Sequence, residues 1–297
     1  MHITWLILPD FLVILLGWLL YNRFGFSRSF FSELEKLIFY VLFPILLFQS
    51  ILKAPLSADS ALEITIASYS VAIFGYFLSQ LAGRISKATP LALASVTQCA
   101  FGFNSYIGLA VAKGIAGTQG QSLMAVIVGI SVPVVNTLSI YPLARHQQAH
   151  VLGAIVRNPF VIATVLGLAG NVAGLQLPGP IDSTLSRLGS AAIALGILCI
   201  GPSLNWQASR SNETLIASMV IIKLVLLPAF ALAISMLLGL DQTTRLILVL
   251  FAGLPCASTG YVLAMRMGGD GRIVSLIISI GTLACAFTIA LWMNWLT

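Results

Sequence analysis

The chain has 297 residues, 59% apolar or aromatic and only 8% charged, with a mean hydropathy of +1.01 and a net charge of +6. A soluble domain carries roughly 25% charged residues, so a water-soluble enzyme built around one core is excluded and the surplus apolar surface belongs against lipid. The basic residues are dispersed at the ends of apolar stretches and form no patch, which excludes nucleic acid as a partner; the stretches are continuous rather than alternating, which argues against a β-barrel.

Taken in chain order, the hydropathy predicts ten membrane helices at 5–22, 34–52, 62–84, 91–113, 121–144, 158–175, 185–204, 215–239, 245–266 and 272–295. The first reads as a span and not a cleaved signal peptide, because no basic segment precedes it, Asp10 interrupts it and no small-residue cleavage site follows. Asp10 falls near its outer end. The second span carries Gln49. The fourth carries Gln98, Gly102, Asn104, Ser105 and Gly108. In the fifth, Asn136 stands between Pro133 and Thr137, suited to an interhelical hydrogen bond or to lining a pathway. His146 and His150 follow in a connection with no third ligand nearby, so a solvated linker is expected there and not a zinc site.

Asn171 marks the outer end of the sixth span. Lys223 lies inside the eighth and is open to two readings: it neutralises a carboxylate or takes part in ion coupling, or it is a structural or snorkelling residue. The ninth span contains Gly253, Pro255, Ser258, Thr259 and Gly260, and Asp270 reads as the N-cap of the tenth. Cys99, Cys199, Cys256 and Cys285 form no CxxC pair and read as packing residues, not as a metal site or a disulfide framework. No hydrolase, zinc-protease, Walker or dinucleotide motif is present. No cofactor and no enzymatic activity are expected.

One set of connections holds Arg23, Arg28, Lys36, Arg84, Lys87, Arg145, Arg157, Arg210, Arg266 and Arg272; the opposite set holds Lys53, Lys113, Arg187 and Arg245. The richer side is expected to be cytoplasmic. Both termini of this integral membrane protein then lie outside, periplasmic in a bacterial inner membrane. Five spans fall in 1–148 and five in 149–297, and an odd number per half forces an inverted repeat. "NSYIGLAVAKG" at 104–114 echoes "STGYVLAMRMG" at 258–268, and "SELEKL" at 32–37 echoes "STLSRL" at 183–188.

Gly and Pro at matching places in spans four and nine predict that both helices break. Paired interruptions of this kind point to a transporter's binding site. Two half-helix N-termini meeting there can hold an anion without a buried Arg. Asn104, Ser105, Ser258 and Thr259 are the expected substrate ligands, Gly102, Gly108, Pro255 and Gly260 shape the crossing, and Lys223 and Asn136 are candidates for coupling or support. The bland alternative is a seam of small residues that lets helices pack closely.

At these residues the chain resembles the auxin efflux carrier family of membrane transporters, in its prokaryotic malate/malonate permease branch. The resemblance rests on "LIFYVLFPILLFQSI" at 37–51, "FNSYIGLAVA" at 103–112, "RNPFVIATVLGLAGNVAG" at 157–174, "IIKLVLLP" at 221–228 and "FAGLPCASTGYVLAMRMGGD" at 251–270. It implies an all-α polytopic fold of ten helices in a five-plus-five inverted repeat, with broken helices four and nine crossing at the substrate site. It also implies an elevator-like carrier of a small organic anion. The chain departs from the pattern at Ala110, where the family often has Pro, and near Ile193, where no Pro stands. The rival reading is a sodium-coupled symporter resembling the bile-acid transporter group. Proton or sodium coupling and a homodimeric assembly are left open.

Overall fold

A computed structural model describes residues 3–54, 58–144, 158–204 and 212–296. His146 and His150 lie outside the described residues. Among the described residues the chain is helical and contains no strand. Helix α1 is Ile3–Asn22. Helix α2, Arg28–Leu52, begins six residues before the expected start at 34, because Ser27 accepts a hydrogen bond from the Phe30 N–H and so caps it. Helix α3 is Ala58–Ile85. Helix α4, Pro90–Phe101, opens on the Thr89 cap with Pro90 in its first turn, where a missing N–H costs nothing.

Helix α5, Ser105–Ala144, leaves helical geometry at Ala116 and Gly117. Gly117 has φ +58°, a conformation open to glycine at no steric cost, and it separates the expected fourth and fifth spans. Helices α6, Pro159–Val172, and α7, Gly179–Ser203, follow, α6 capped by Asn158. Helix α8 is Glu213–Leu237. Helix α9, Gln242–Gly253, is capped by Asp241. Helices α10, Thr259–Arg266, and α11, Gly271–Leu296, complete the chain. Asp270 accepts from the N–H groups of Arg272 and Ile273, the cap expected of it.

Among the described residues, six stretches are long and apolar enough to cross a membrane: Arg28–Leu52, Ala61–Ile85, Pro90–Leu143, Gly179–Ser203, Glu213–Leu237 and Gly271–Leu296. Pro90–Leu143 contains 54 residues. As one straight helix it would reach about 80 Å at 1.5 Å per residue, far beyond the ~30 Å hydrocarbon core. Its interruptions at 102–104 and 116–117 divide it. Large apolar side chains such as Leu12, Phe77, Leu237, Phe287 and Leu291 are exposed at the periphery, as lipid contact requires and water would penalise.

Helices α2 and α8 each contain a π-helical turn, Ile38–Leu42 and Ile222–Leu226. The local cause is the same in both. Pro44 and Pro228 follow two residues later and lack the N–H that an uninterrupted helix directs at the carbonyl four residues back. In α8 that carbonyl belongs to Leu224, and the Trp292 indole N–H of α11 donates to it at 3.1 Å.

The helices pack in two groups. Helices α1, α2, α6 and α7 form one group, and α3, α4, α8, α9 and α11 form the second; α5 touches both, and α1 also packs against α11. In the first group a Cβ on Gly201 would collide with the Trp18 backbone, so α1 and α7 approach closely. Asn171 does more than mark a helix end: its amide nitrogen lies 2.8 to 3.1 Å from the carbonyls of Ile51, Leu52 and Ala54 and ties α6 to the end of α2. Gln49, buried in α2, donates to Asp182 and Ser186 of α7, and Lys53 pairs with Asp182 at 2.6 Å. In the second group Phe74 of α3 stacks on Phe230 of α8, ring centroids 4.1 Å apart.

Candidate binding site at two helix breaks

Helices α4 and α9 are built alike. Each begins on a capping side chain, Thr89 or Asp241, and runs 12 residues. Each ends in an extended residue: Gly102 has φ −60° and ψ 153°, Leu254 has φ −64° and ψ 141°. The α4–α5 break therefore forms without a proline. Gly102 turns the chain out of the helix, and Asn104 restarts it by accepting from the N–H groups of Tyr106 and Ile107 at 3.1 and 3.2 Å. In the α9–α10 break, Pro255 removes one donor and the chain is non-helical from Leu254 to Ala257.

The two breaks meet. A Cβ on Gly102 would stand 3.1 Å from the Cys256 sulfur, and one on Gly108 would stand 2.6 Å from the Leu254 side chain. Phe103 of the first break packs on Phe251 of α9 with ring centroids 4.7 Å apart. Gln98, in the last turn of α4, joins them. Its amide donates to the Gly260 carbonyl at 2.8 Å, while its own carbonyl accepts from Gly102 N–H and lies 3.9 Å from Cys256 Sγ. In the sequence Gln98 is only one more polar residue in an apolar span; its position one turn before a Gly-Phe-Asn break is the signal that marks it.

The expectation that two bare helix N-termini face the site needs revision at α5. Asn104 Oδ1 occupies two of the N–H groups, and Gly108 N–H bonds to Asn104 O. What remains is the Asn104 amide NH₂, a pure donor, on a residue only 2% exposed. At α10, Ser258 makes no side-chain cap. Gly260 and Tyr261 donate to Ala257 and Ser258 carbonyls, so the N–H groups of Ser258 and Thr259 stay outside the bonded turn. Ser105 and Ser258 are half-buried and Thr259 is exposed. Their hydroxyls take no hydrogen-bond partner among the described residues. The Asn104 NH₂, the Ser105, Ser258 and Thr259 hydroxyls and the two outlying N–H groups are donors from which a carboxylate can accept.

Asn136 lies half-buried in α5 beyond the breaks, and its side chain makes no hydrogen bond to a described residue. Lys223 is buried in the π-turn of α8 and shares a small cavity with Pro255 and Cys256 of the second break. Among the described residues no three His, Cys, Asp or Glu side chains gather as a metal site.

A family model described as "Membrane transport protein" matches residues 2–151 and 142–293. An "Uncharacterized transporter" of Methanothermobacter thermautotrophicus is 26% identical, covering 96% of both chains. The "Uncharacterized transporter YfdV" of Escherichia coli is 25% identical over 96% of this chain and 95% of its own. A "Putative malonate transporter" of Rhizobium meliloti is 26% identical over 97% of this chain and 94% of its own.

Proposed function

The chain belongs to the membrane transport protein family, and on that premise we propose that it carries a small organic anion, a carboxylate, across the membrane by alternating access. Membership makes it an integral membrane transporter and not a membrane-embedded enzyme. The observation that carries the finer reading is the meeting of two unwound stretches deep in the bundle, each with hydrogen-bond donors left over. Asn104 NH₂ and the groups of Ser105, Ser258 and Thr259 bind the carboxylate; Gly102, Gly108, Pro255 and Gly260 give the backbones room to approach.

The architecture in this reading is ten crossings in two inverted halves, 1–148 and 149–297. Helix α4 with the first turns of α5 is a broken fourth crossing, and α9 with α10 is a broken ninth. The matched caps, lengths and extended ends of α4 and α9 support the duplication. The two packing groups support an elevator-like movement, with α1, α2, α6 and α7 as the scaffold. Contacts between helix ends support the sorting of the connections onto two faces. Lys53 reaches Asp182 at the face expected to be periplasmic, and Ser95 Oγ accepts from Asp270 N–H at the face expected to be cytoplasmic. The distribution of basic residues supports both termini outside, and the bacterial relatives support a bacterial inner membrane.

The test is flux. Purified protein in proteoliposomes takes up radiolabelled malonate, chosen for the relative's description, in a manner that excess unlabelled carboxylate suppresses. Absence of flux with every mono- and dicarboxylate tried, in correctly folded protein, overturns the reading. Flux that requires a sodium gradient moves the chain to the sodium-coupled alternative.

A further inference from the structure

Lys223 is 4% exposed, so its ammonium does not reach the surface by snorkelling. It lines a small cavity with Cys99 of α4, Ile277 of α11, and Pro255 and Cys256 of the second break, and no acidic side chain lines that cavity. The ion pairs among the described residues are Lys36–Glu33 and Lys53–Asp182, so Lys223 has no protein counter-ion there, and it makes no hydrogen bond to a described residue. A buried cation left uncompensated is costly, and such residues in membrane proteins face partners or cargo. The cavity adjoins the place where the breaks meet, because Cys256 belongs to its wall and also stands against Gly102.

We propose that Lys223 is the charge partner of the cargo: the bound anion places a carboxylate at this cavity, and the ammonium compensates it. The inference rests on the carboxylate-carrier reading and deepens it. The donors of the two breaks orient the anion, and Lys223 supplies the full positive charge that neutral amide and hydroxyl groups lack. It also supplies selectivity, since a neutral or cationic solute leaves Lys223 unpaired or repelled.

The experiment compares the wild-type chain, Lys223→Met and Lys223→Arg in detergent, measuring malonate affinity by calorimetry and the unliganded melting temperature alongside. An apolar side chain in an apolar cavity leaves the fold intact, so Lys223→Met melts close to wild type. Its malonate affinity falls at least about tenfold, as expected when one member of a desolvated charge pair is truncated. Lys223→Arg, which keeps the charge, recovers part of that loss. Equal affinity in all three proteins overturns the assignment, and so does an equal loss in both variants, which marks a packing role. If the wild-type chain binds malonate and no other carboxylate, the assignment stands on malonate alone; if it binds no carboxylate at all, the carrier reading falls and the role of Lys223 with it.

Discussion

Asn104 shows how one side chain serves structure and recognition with different atoms. Its oxygen caps α5 and its NH₂ is left for cargo. The two roles separate by mutation. Asn104→Ser keeps a good capping oxygen and removes the amide donor, so the melting temperature stays near wild type while carboxylate affinity falls. Asn104→Ala removes both and costs a further ~1 kcal/mol of stability. Thermal melts paired with binding isotherms check this; equal binding by Asn104→Ser and wild type removes Asn104 from the site. Gln98 is the complementary case, a residue that holds the breaks together through the Gly260 carbonyl. Gln98→Leu leaves that buried carbonyl unpaired, and a loss of about 1–3 kcal/mol is expected in denaturation.

At the scale of the element, helix ends and interruptions are governed by where backbone groups find partners. The π-turn of α8 persists because Trp292 serves the Leu224 carbonyl that Pro228 leaves open. Trp292→Phe keeps most of the ring and deletes the donor, at a cost of about 1–3 kcal/mol. In a Pro228→Ala background the backbone regains an N–H, and the cost of Trp292→Phe shrinks; a double-mutant cycle measures the coupling. Asp241, which caps α9 outside the spans, gives a pH signature. Burial opposes its ionisation, but hydrogen bonds from Thr244 and Thr243 outweigh it and hold the carboxyl below the usual carboxylate range. Its contribution is therefore complete above the ordinary Asp value of about 3.9 and is lost as pH falls through the lower folded value. Asp241→Asn, still a capping residue, removes that component from the acid limb of a melting-temperature profile.

For the whole molecule the open quantity is sidedness. The four cysteines, Cys99, Cys199, Cys256 and Cys285, are buried, so background labelling is low. Phe24 and Leu175 are exposed, on opposite sets of connections. With the basic-rich side cytoplasmic, a membrane-impermeant thiol reagent labels Leu175→Cys in intact cells and labels Phe24→Cys only after permeabilisation. The reverse pattern inverts the assigned orientation; labelling of both in intact cells breaks the count of crossings between them.

Much of this protein was legible in one dimension. The scarcity of charge compelled a membrane fold, the apolar runs set most helix ends to within a few residues, though α2 and α7 each begin six residues early, and the Gly-Asn and Gly-Pro clusters located both interruptions, because backbone conformational limits act locally. The capping role of Asp270 was local too and was readable for the same reason. The π-turns had a local signal in Pro44 and Pro228 that periodicity alone does not reveal. Tertiary structure decided the rest. Gln98 and Gly260 are separated by 162 positions, and nothing in either segment announces that they touch. The same holds for Asn171 against the end of α2 and for Lys223 beside Pro255 and Cys256. Composition suggested an anion site made from dipoles alone. Packing placed Lys223, the one cation buried within a span among the described residues, against a break, since only the folded chain determines which polar groups, each costly to bury, are buried together.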